Sequence, residues 1–192
     1  MSDGHHGRSG RLNDGLFTSA SEEWATPPAF FELLDQLFGP FALDAAATDE
    51  NAKCARYFTK AQDGLGRSWG ARGTTVFLNP PYGRDIGMWV QKAREESYLG
   101  PTVVCLLPAR MDAKWWQDNV MRAVEVFCVS GRLSFVSSGG SLGPAPFPSA
   151  VVVFRRERPG PPAFSAMGRN LIEHVRFSGL HVLQESGDGS AA

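Results

Sequence analysis

The most informative segment of this chain is Thr75-Val76-Phe77-Leu78-Asn79-Pro80-Pro81-Tyr82. Its first four residues form a short β-branched and aromatic run, which predicts a buried strand. The two prolines remove two backbone donors and fix φ, so we expect the chain to leave the sheet as a stiff, extended loop. Open α/β sheets bind their ligands at the carboxyl ends of their strands. The stretch therefore predicts a binding loop at that edge.

This loop offers three groups that suit the recognition of a planar amine. The amide oxygen of Asn79 and the carbonyl of Pro80 can together accept both hydrogens of an exocyclic amino group. The ring of Tyr82 can stack on the flat system that carries the amine. Asn-Pro-Pro is also a common loop sequence, and Tyr82 can equally cap a hydrophobic core. The position after a strand, with a helix start behind it, favours the functional interpretation.

Strands and helices alternate on either side of this stretch. An apolar stripe at helical spacing predicts a first helix, which Thr26 caps and Gly39-Pro40 ends. Asp85 and Asp112 are expected to cap two further helices. Strands are predicted at residues 41–47, 75–78, 102–107, 124–129, 133–136 and 149–154, with a loop at 137–147.

The order of these elements predicts the fold class. Strands alternate with helices up to about residue 129 and then follow one another. This order predicts an α/β, Rossmann-like fold with a mostly parallel sheet, helices on both faces and an antiparallel edge hairpin. We expect residues 1–22 to be a disordered tail, 23–157 to be the compact domain, and 158–192 to be a partly disordered C-terminal extension.

Composition narrows the classes of function. The chain has 192 residues, 43% of them hydrophobic, and a net charge of −1, so composition alone does not indicate a nucleic-acid partner. Cys54, Cys105 and Cys128 show no pairing pattern, which predicts neither a disulfide framework nor a metal site and favours a reducing cytoplasm. No apolar run approaches the roughly 20 residues of a membrane helix.

Several segments, in order, resemble the small phage-type DNA N6-adenine methyltransferases of the Dam class. Asp44-Ala45-Ala46-Ala47 is similar to the family's cofactor loop, and Asn79-Pro80-Pro81-Tyr82 is similar to its catalytic motif. The other similar segments are residues 24–28, 63–65, 131–135 and 148–150. The resemblance spans about residues 23–156 and implies a class I methyltransferase fold.

The resemblance implies S-adenosylmethionine as the cofactor. Asp44 can meet its positive groups, although an aspartate at a strand end can also cap a helix. Asp63 can contact the cofactor or the target base, although it can also be a turn residue before Gly64. The segment between them is shorter than is usual in the family, which leaves the ribose ligand open. The implied cofactor-binding residues are Trp24, Thr26, Pro27, Asp44, Ala45, Ala46, Asn51 and Asp63.

The resemblance also implies the reaction and the partner. A methyl group would pass to the N6 amino group of an adenine in DNA, after the base has left the duplex. Asn79 and the Pro80 carbonyl would hold that amino group, and an aspartate could replace Asn79 because a carboxylate also accepts hydrogen bonds. Tyr82 would stack on the base. Arg84, Arg110, Lys114 and Arg132 fall at or after predicted strand ends and are the implied DNA contacts.

Two other functions remain compatible with the sequence. The same chemistry suits an RNA adenine or the side-chain amide of a protein glutamine. Alternatively, the chain is a catalytically silent nucleic-acid-binding module, because its cofactor loop lacks the glycines that approach a ligand most easily. Trp115 and Trp116 can wedge into DNA, but at least one of them is expected in the core.

Overall fold

The computed structural model describes residues 24–137, 140–156 and 160–170. Three helices and eight strands make up this part of the chain. The helices are α1 (Pro28–Phe38), α2 (Ile86–Leu99) and α3 (Lys114–Asn119). The strands are β1 (Phe41–Asp44), β2 (Thr75–Leu78), β3 (Thr102–Pro108), β4 (Glu125–Val129), β5 (Ser134–Ser137), β6 (Gly140–Pro144), β7 (Ser149–Phe154) and β8 (Ala163–Met167).

Six of these strands form the central sheet, in the order β1-β2-β3-β7-β4-β8. β1, β2 and β3 pair in parallel, and so do β4 and β8. β7 lies between β3 and β4 and is antiparallel to both. Every strand of the sheet except β7 therefore points its carboxyl end at the same edge. The predicted α/β fold with a mostly parallel sheet is confirmed.

The antiparallel hairpin is present but lies elsewhere than expected. β5 and β6 pair as a separate two-stranded sheet, and β7, which was expected near an edge, is inside the central sheet. β6 occupies part of the segment 137–147, which was predicted to be a loop. The sequence did not indicate this strand, because it consists mostly of Gly, Ser and Pro and shows no apolar pattern. The hairpin holds the start of the domain: Ala25 and Val136 exchange backbone hydrogen bonds of 3.2 and 3.1 Å.

The compact fold continues beyond residue 157, where the sequence placed its end. β8 pairs with β4 from Ala163 to Met167, and the Met167 side chain is buried. The other residues of β8 are exposed, so this edge strand lacks the alternation by which a half-buried strand is predicted. The predicted tail 1–22 and the end of the chain from residue 171 lie outside the described residues.

Aromatic side chains attach α1 to the sheet. The ring of Phe31 lies 5.5 Å from that of Phe41 and 5.1 Å from that of Phe77, and Phe38 meets Phe127 at 5.6 Å. α2 and α3 pack against each other. Among the described helices, none has the length and apolar character needed to cross a membrane.

The predicted side-chain caps do not form. α1 starts with Pro27 at the cap and a proline behind it, so φ is already fixed for a helix, and Thr26 bonds elsewhere. Asp85 occupies the cap position of α2, but its carboxylate makes no capping hydrogen bond. α3 follows Ala113, so Asp112 is not its cap.

The place of β8 in the fold can be tested at Met167. Truncation to alanine should lower the free energy of unfolding by about 2–5 kcal/mol, because it removes a buried side chain. Phe164→Ala is the matched control, since Phe164 lies on the same strand and is 49% exposed. Urea denaturation of both variants measures the difference. Equal stability of the two would contradict a β8 packed on the core.

Candidate active site

A cavity of about 650 Å³ opens at the carboxyl ends of β1 and β2. Its size lies within the roughly 300–1,000 Å³ of typical small-molecule sites. Its lining is drawn from residues 24–26, 44–53, 58–65 and 77–85, together with Trp89 of α2. Three chain segments that are distant in sequence from the Asn-Pro-Pro-Tyr loop therefore meet it at the expected edge.

The cavity brings together most of the residues that the sequence singled out. Pro27, Ala45 and Tyr82 do not line it. The predicted catalytic and cofactor residues that do line it are Trp24, Thr26, Asp44, Ala46, Asn51, Asp63, Asn79, Pro80 and Pro81.

Asn79 lines this cavity and carries a buried acceptor. Its Nδ2 donates to the backbone carbonyl of Trp24 at 2.6 Å and to the Thr26 hydroxyl oxygen at 3.0 Å. Its Oδ1 is buried and has no hydrogen-bond partner among the described residues. A buried acceptor without a partner costs about 1–3 kcal/mol. A ligand that brings an N–H donor to this oxygen would relieve that cost.

Asp44 is an ionisable group in the same lining. It ends β1, is 2% exposed, and accepts from the backbone N–H of Lys53 at 3.1 Å and of Ala46 at 3.4 Å. Burial raises the pKa of Asp44 to about 6, although both backbone bonds and the Lys53 ammonium oppose that rise. No helix follows Asp44, so the alternative role as a helix cap does not apply.

The cavity wall beside β1 was not predicted. Residues 56–58 run alongside β1: Asp44 N–H donates to the Arg56 carbonyl at 3.0 Å, and Phe58 N–H donates to the Asp44 carbonyl at 3.0 Å. Ala47 N–H then reaches the Phe58 carbonyl at 2.9 Å. This short segment brings the side chain of Phe58 into the lining. The aromatic and β-branched run at 57–59 was the signal that could have revealed it.

Close backbone packing against the 44–47 loop depends on Gly64 rather than on a glycine within that loop. A Cβ on Gly64 would lie 2.4 Å from the Ala45 carbonyl oxygen. The Gly64 carbonyl in turn accepts from Trp69 Nε1 at 2.7 Å. The absence of glycine from the 44–47 loop therefore does not prevent close packing, because Gly64 of the neighbouring segment allows the two backbones to approach.

Asn51 and Asp63 line the same side of the cavity in different ways. Asn51 Oδ1 accepts from the Thr48 N–H at 2.8 Å, which closes the turn after the 44–47 loop. Asp63 is exposed and adopts φ 53°, a left-handed conformation that no other described non-glycine residue has. Such a conformation is a common feature of functional sites.

Tyr82 does not present a free ring, contrary to the prediction. It is 8% exposed, its hydroxyl donates to the Leu106 carbonyl at 3.2 Å, and its ring meets Phe135 and Phe147 edge-on. The alternative role, a ring that caps the core, describes this geometry. The aromatic residues that do line the cavity are Trp24, Phe58, Phe77 and Trp89, of which Phe77 is 1% exposed.

The predicted basic residues follow strands at the same edge of the sheet, but they differ in solvent exposure and in whether they already have interaction partners. Arg84 and Arg132 are exposed. Lys114 is paired with Asp118 at 2.6 Å on the surface of α3. Arg110 is half-buried and has interactions of its own. Arg84 and Arg132 are therefore the better placed of the four for a large anionic ligand.

One of the two neighbouring tryptophans belongs to the core, as expected. Trp116 is 1% exposed. Trp115 is half-buried and its ring meets that of Trp116 at 5.6 Å. Neither lines the cavity.

Comparison with known proteins gives a consistent result. Residues 15–173 match the family described as DNA N-6-adenine-methyltransferase (Dam). The DNA N-6-adenine-methyltransferase of Escherichia phage T1 is 32% identical over 154 residues, which cover 71% of this chain and 63% of the phage protein. The protein of the same description from Haemophilus phage HP1 is 28% identical over 145 residues, which cover 73% of this chain and 83% of the relative. This chain thus spans slightly under two thirds of the phage T1 protein.

A solved chain from Listeria monocytogenes, described as of the class I S-adenosylmethionine-dependent methyltransferase type, superposes with a TM-score of 0.40. The sequence identity is 9%, and the superposition covers 65% of this chain and 45% of the other.

The state of Asp44 can be tested through stability. Its pKa in the folded protein, about 6, lies above the ordinary 3.8, so the folded state holds the proton more tightly. The free energy of unfolding should therefore fall as pH rises from about 4 to about 6, by up to about 3 kcal/mol. Asp44→Asn should lack this part of the pH dependence. Urea denaturation across this range compares the two proteins, and identical slopes would contradict the raised pKa.

Proposed function

We propose that this chain, which belongs to the DNA N-6-adenine-methyltransferase (Dam) family, transfers a methyl group from S-adenosylmethionine to the N6 amino group of adenine in DNA. The observation that carries the proposal is that Asn79 lines the cavity while its buried Oδ1 has no hydrogen-bond partner among the described residues. Family membership supports the choice of substrate, and the geometry supports the way in which an amino group would be held. Action on DNA is compatible with the cytoplasmic location that the cysteine pattern favours.

The residues of the cavity fit S-adenosylmethionine. When bound, this cofactor supplies an electrophilic methyl group on a positively charged sulfonium. The buried carboxyl of Asp44 is an acid whose ionised form would be favoured by a nearby cation. Trp24, Phe58 and Trp89 supply flat apolar surface for an adenine ring, and Asp63 and Asn51 supply polar groups. An ammonium- and adenine-containing ligand therefore matches both the charge and the surface of the cavity.

The role of Asn79 follows from the chemistry of the target. Adenine N6 is a poor nucleophile, because its lone pair is delocalised into the ring. An acceptor fixed at each N6 hydrogen would draw the lone pair out of the ring and aim it at the methyl group. Asn79 Oδ1 is one such acceptor, and we assign the Pro80 carbonyl as the other. Both belong to a stiff loop, so little reorganisation is needed during the reaction.

The flipped base needs an aromatic neighbour other than Tyr82 in this conformation. Base–aromatic stacking contributes about 1–3 kcal/mol per base. Tyr82 is held in the core by its hydroxyl and by Phe135 and Phe147. We assign the stacking of the target and cofactor rings to Trp24, Phe58 and Trp89, which line the cavity.

Assays of methyl transfer can distinguish the proposed function from the other candidate functions. An RNA adenine or a glutamine amide carries the same amino group, so the Asn79 geometry alone does not discriminate against them. Transfer of labelled methyl to duplex DNA, tRNA and protein, measured side by side, does. A silent binding module would bind DNA without any transfer.

Removal of the Asn79 amide should abolish chemistry without loss of the cofactor. Asn79→Ala should lower single-turnover methylation of an unmethylated duplex by about 10²–10³, the usual effect of removing one preorganised polar contact. Binding of S-adenosylmethionine, measured by calorimetry, should stay within a few-fold. Asn119→Ala is the matched control, since Asn119 also donates to a backbone carbonyl, at 3.1 Å, but lies on α3. Full activity of Asn79→Ala would refute the proposed mechanism.

Arg132 should act on DNA phosphates. Arg132→Ala should weaken DNA binding and reduce the magnitude of its salt slope by about one, because one neutralised phosphate is lost. Arg156→Ala is the control: it is exposed, but it follows β7 and so lies at the opposite edge of the sheet. Binding isotherms at several salt concentrations provide the slopes. If both variants keep the wild-type slope, Arg132 does not contact the backbone of DNA.

A further inference from the structure

We infer that the Trp24 carbonyl and the Thr26 hydroxyl form a clamp that sets the direction of the Asn79 amide. Thr26 is then a positioning residue, and the site requires asparagine rather than aspartate at position 79. This inference deepens the proposed function and rests on it for its effect on catalysis. The clamp itself can be tested without an activity assay, through the exchange of the Asn79 amide protons with water.

The direction of the amide follows from the chemistry of its partners. A backbone carbonyl only accepts hydrogen bonds, so the Asn79 atom that lies 2.6 Å from the Trp24 oxygen must be the nitrogen. The second N–H of the same nitrogen meets the Thr26 oxygen at 3.0 Å. Both donors are thereby used, and Oδ1 is left as a buried acceptor without a partner among the described residues. Turned over, the amide would place two oxygens in contact.

The clamp is held by the β5–β6 hairpin and its surroundings rather than by the central sheet. Ala25, between the two clamp residues, is bonded to Val136 of β5. The Trp24 ring meets Phe135 edge-on at 5.6 Å and Phe147 at 5.2 Å. Thr26 is 2% exposed and two prolines follow it. Because of these restraints, the Trp24 carbonyl and the Thr26 hydroxyl cannot easily move to accommodate a different side chain at position 79.

An aspartate at position 79 would meet the clamp unfavourably. One carboxylate oxygen would take the place of Nδ2 and face the Trp24 carbonyl oxygen. An ionised carboxylate must turn away from that oxygen, whereas a protonated one can donate to it. A hydrogen bond that is available only to the neutral acid raises a carboxyl pKa. The Asn79→Asp variant should therefore work in its protonated form, so at neutral pH aspartate should replace asparagine less well than its capacity to accept hydrogen bonds alone predicts.

The cavity contains other groups that titrate or carry charge. They are Asp44, Lys53, Lys60, Asp63 and Asp85. Wild type and the Asn79→Asp variant share all of them, so the ratio of their rates at each pH isolates the new carboxyl group. Any titration of Asp44 that changes both enzymes alike cancels in this ratio.

The first test concerns Thr26. Thr26→Val keeps the shape but removes the oxygen, and it should lower the single-turnover rate by about 10–100-fold, the scale of a small misplacement. Its affinity for S-adenosylmethionine should stay within a few-fold. Thr26→Ser keeps the oxygen and should restore most of the rate. Thr74→Val is the control, since this hydroxyl donates to the Ala71 carbonyl at 2.7 Å, at the other end of β2. A wild-type rate in Thr26→Val would overturn the role of Thr26.

The second test concerns the residue type at position 79. The rate of Asn79→Asp divided by that of wild type should rise about tenfold per pH unit as pH falls towards the pKa of the new carboxyl, where only the protonated form is active. A flat ratio, or a variant as fast as wild type at pH 8, would overturn the requirement for asparagine.

The third test separates the clamp from catalysis. In the ligand-free protein, the two Nδ2 protons of Asn79, assigned by their loss in Asn79→Ala, should exchange slowly with water, because both are hydrogen-bonded. Thr26→Val should shift one of them and speed its exchange. Fast exchange of both in wild type would overturn the clamp, whatever the activity. Intact protection in a wild type that methylates no DNA would instead refute the proposed function.

Discussion

The parallel pairing of β1 with β2 is the constraint on which the site depends. Asp44 stands opposite Phe77 in the register, and the Ala45 N–H continues the ladder to the Phe77 carbonyl at 2.9 Å. Asn79 follows two residues later, so a carboxyl and an amide from distant parts of the chain emerge at one edge. A slip of one residue would turn every side chain of a strand to the opposite face. The buried faces of both strands forbid that slip and so hold the geometry of the cavity.

The second half of the site is brought in from outside the sheet. The β5–β6 hairpin holds residues 24–26 across from Asn79, and Phe135 and Phe147 fill the space between Trp24 and Tyr82. Residues 24–26 and the β5–β6 hairpin, which are distant from each other in sequence, therefore both contribute to the surroundings of the loop at 79–82. Such contacts cost loop-closure entropy and are formed only by a folded domain. A loss of packing in the hairpin would thus change the direction of the Asn79 amide without any change in the loop itself.

Local patterns were enough for the elements but not for the contacts between them. The apolar runs predicted β2, β3, β4 and β7 almost to the residue, and the strand-end rule of parallel sheets placed Asp44 and Asn79 together. The burial of Tyr82 depends on rings more than fifty positions later, which no local pattern contains. β6 and β8 lack apolar alternation because one is made of small residues and the other is an exposed edge. Residues 56–58 are held beside β1 by backbone hydrogen bonds to Asp44 and Ala47, which no local pattern contains.

Two groups in the cavity lining reduce the stability of the ligand-free fold. Burial raises the pKa of Asp44, so its charge is unfavourable near neutral pH, and the Asn79 oxygen is buried without a donor. A cation near the carboxyl and an N–H donor at the amide oxygen would each remove one of these costs. Under the proposed function, S-adenosylmethionine would carry the first feature and the target base the second. Binding of each would then recover stability that the ligand-free fold lacks. Both groups line one cavity, at the carboxyl ends of two paired strands, so under the proposed function this cavity would bring the methyl group and the amino group together.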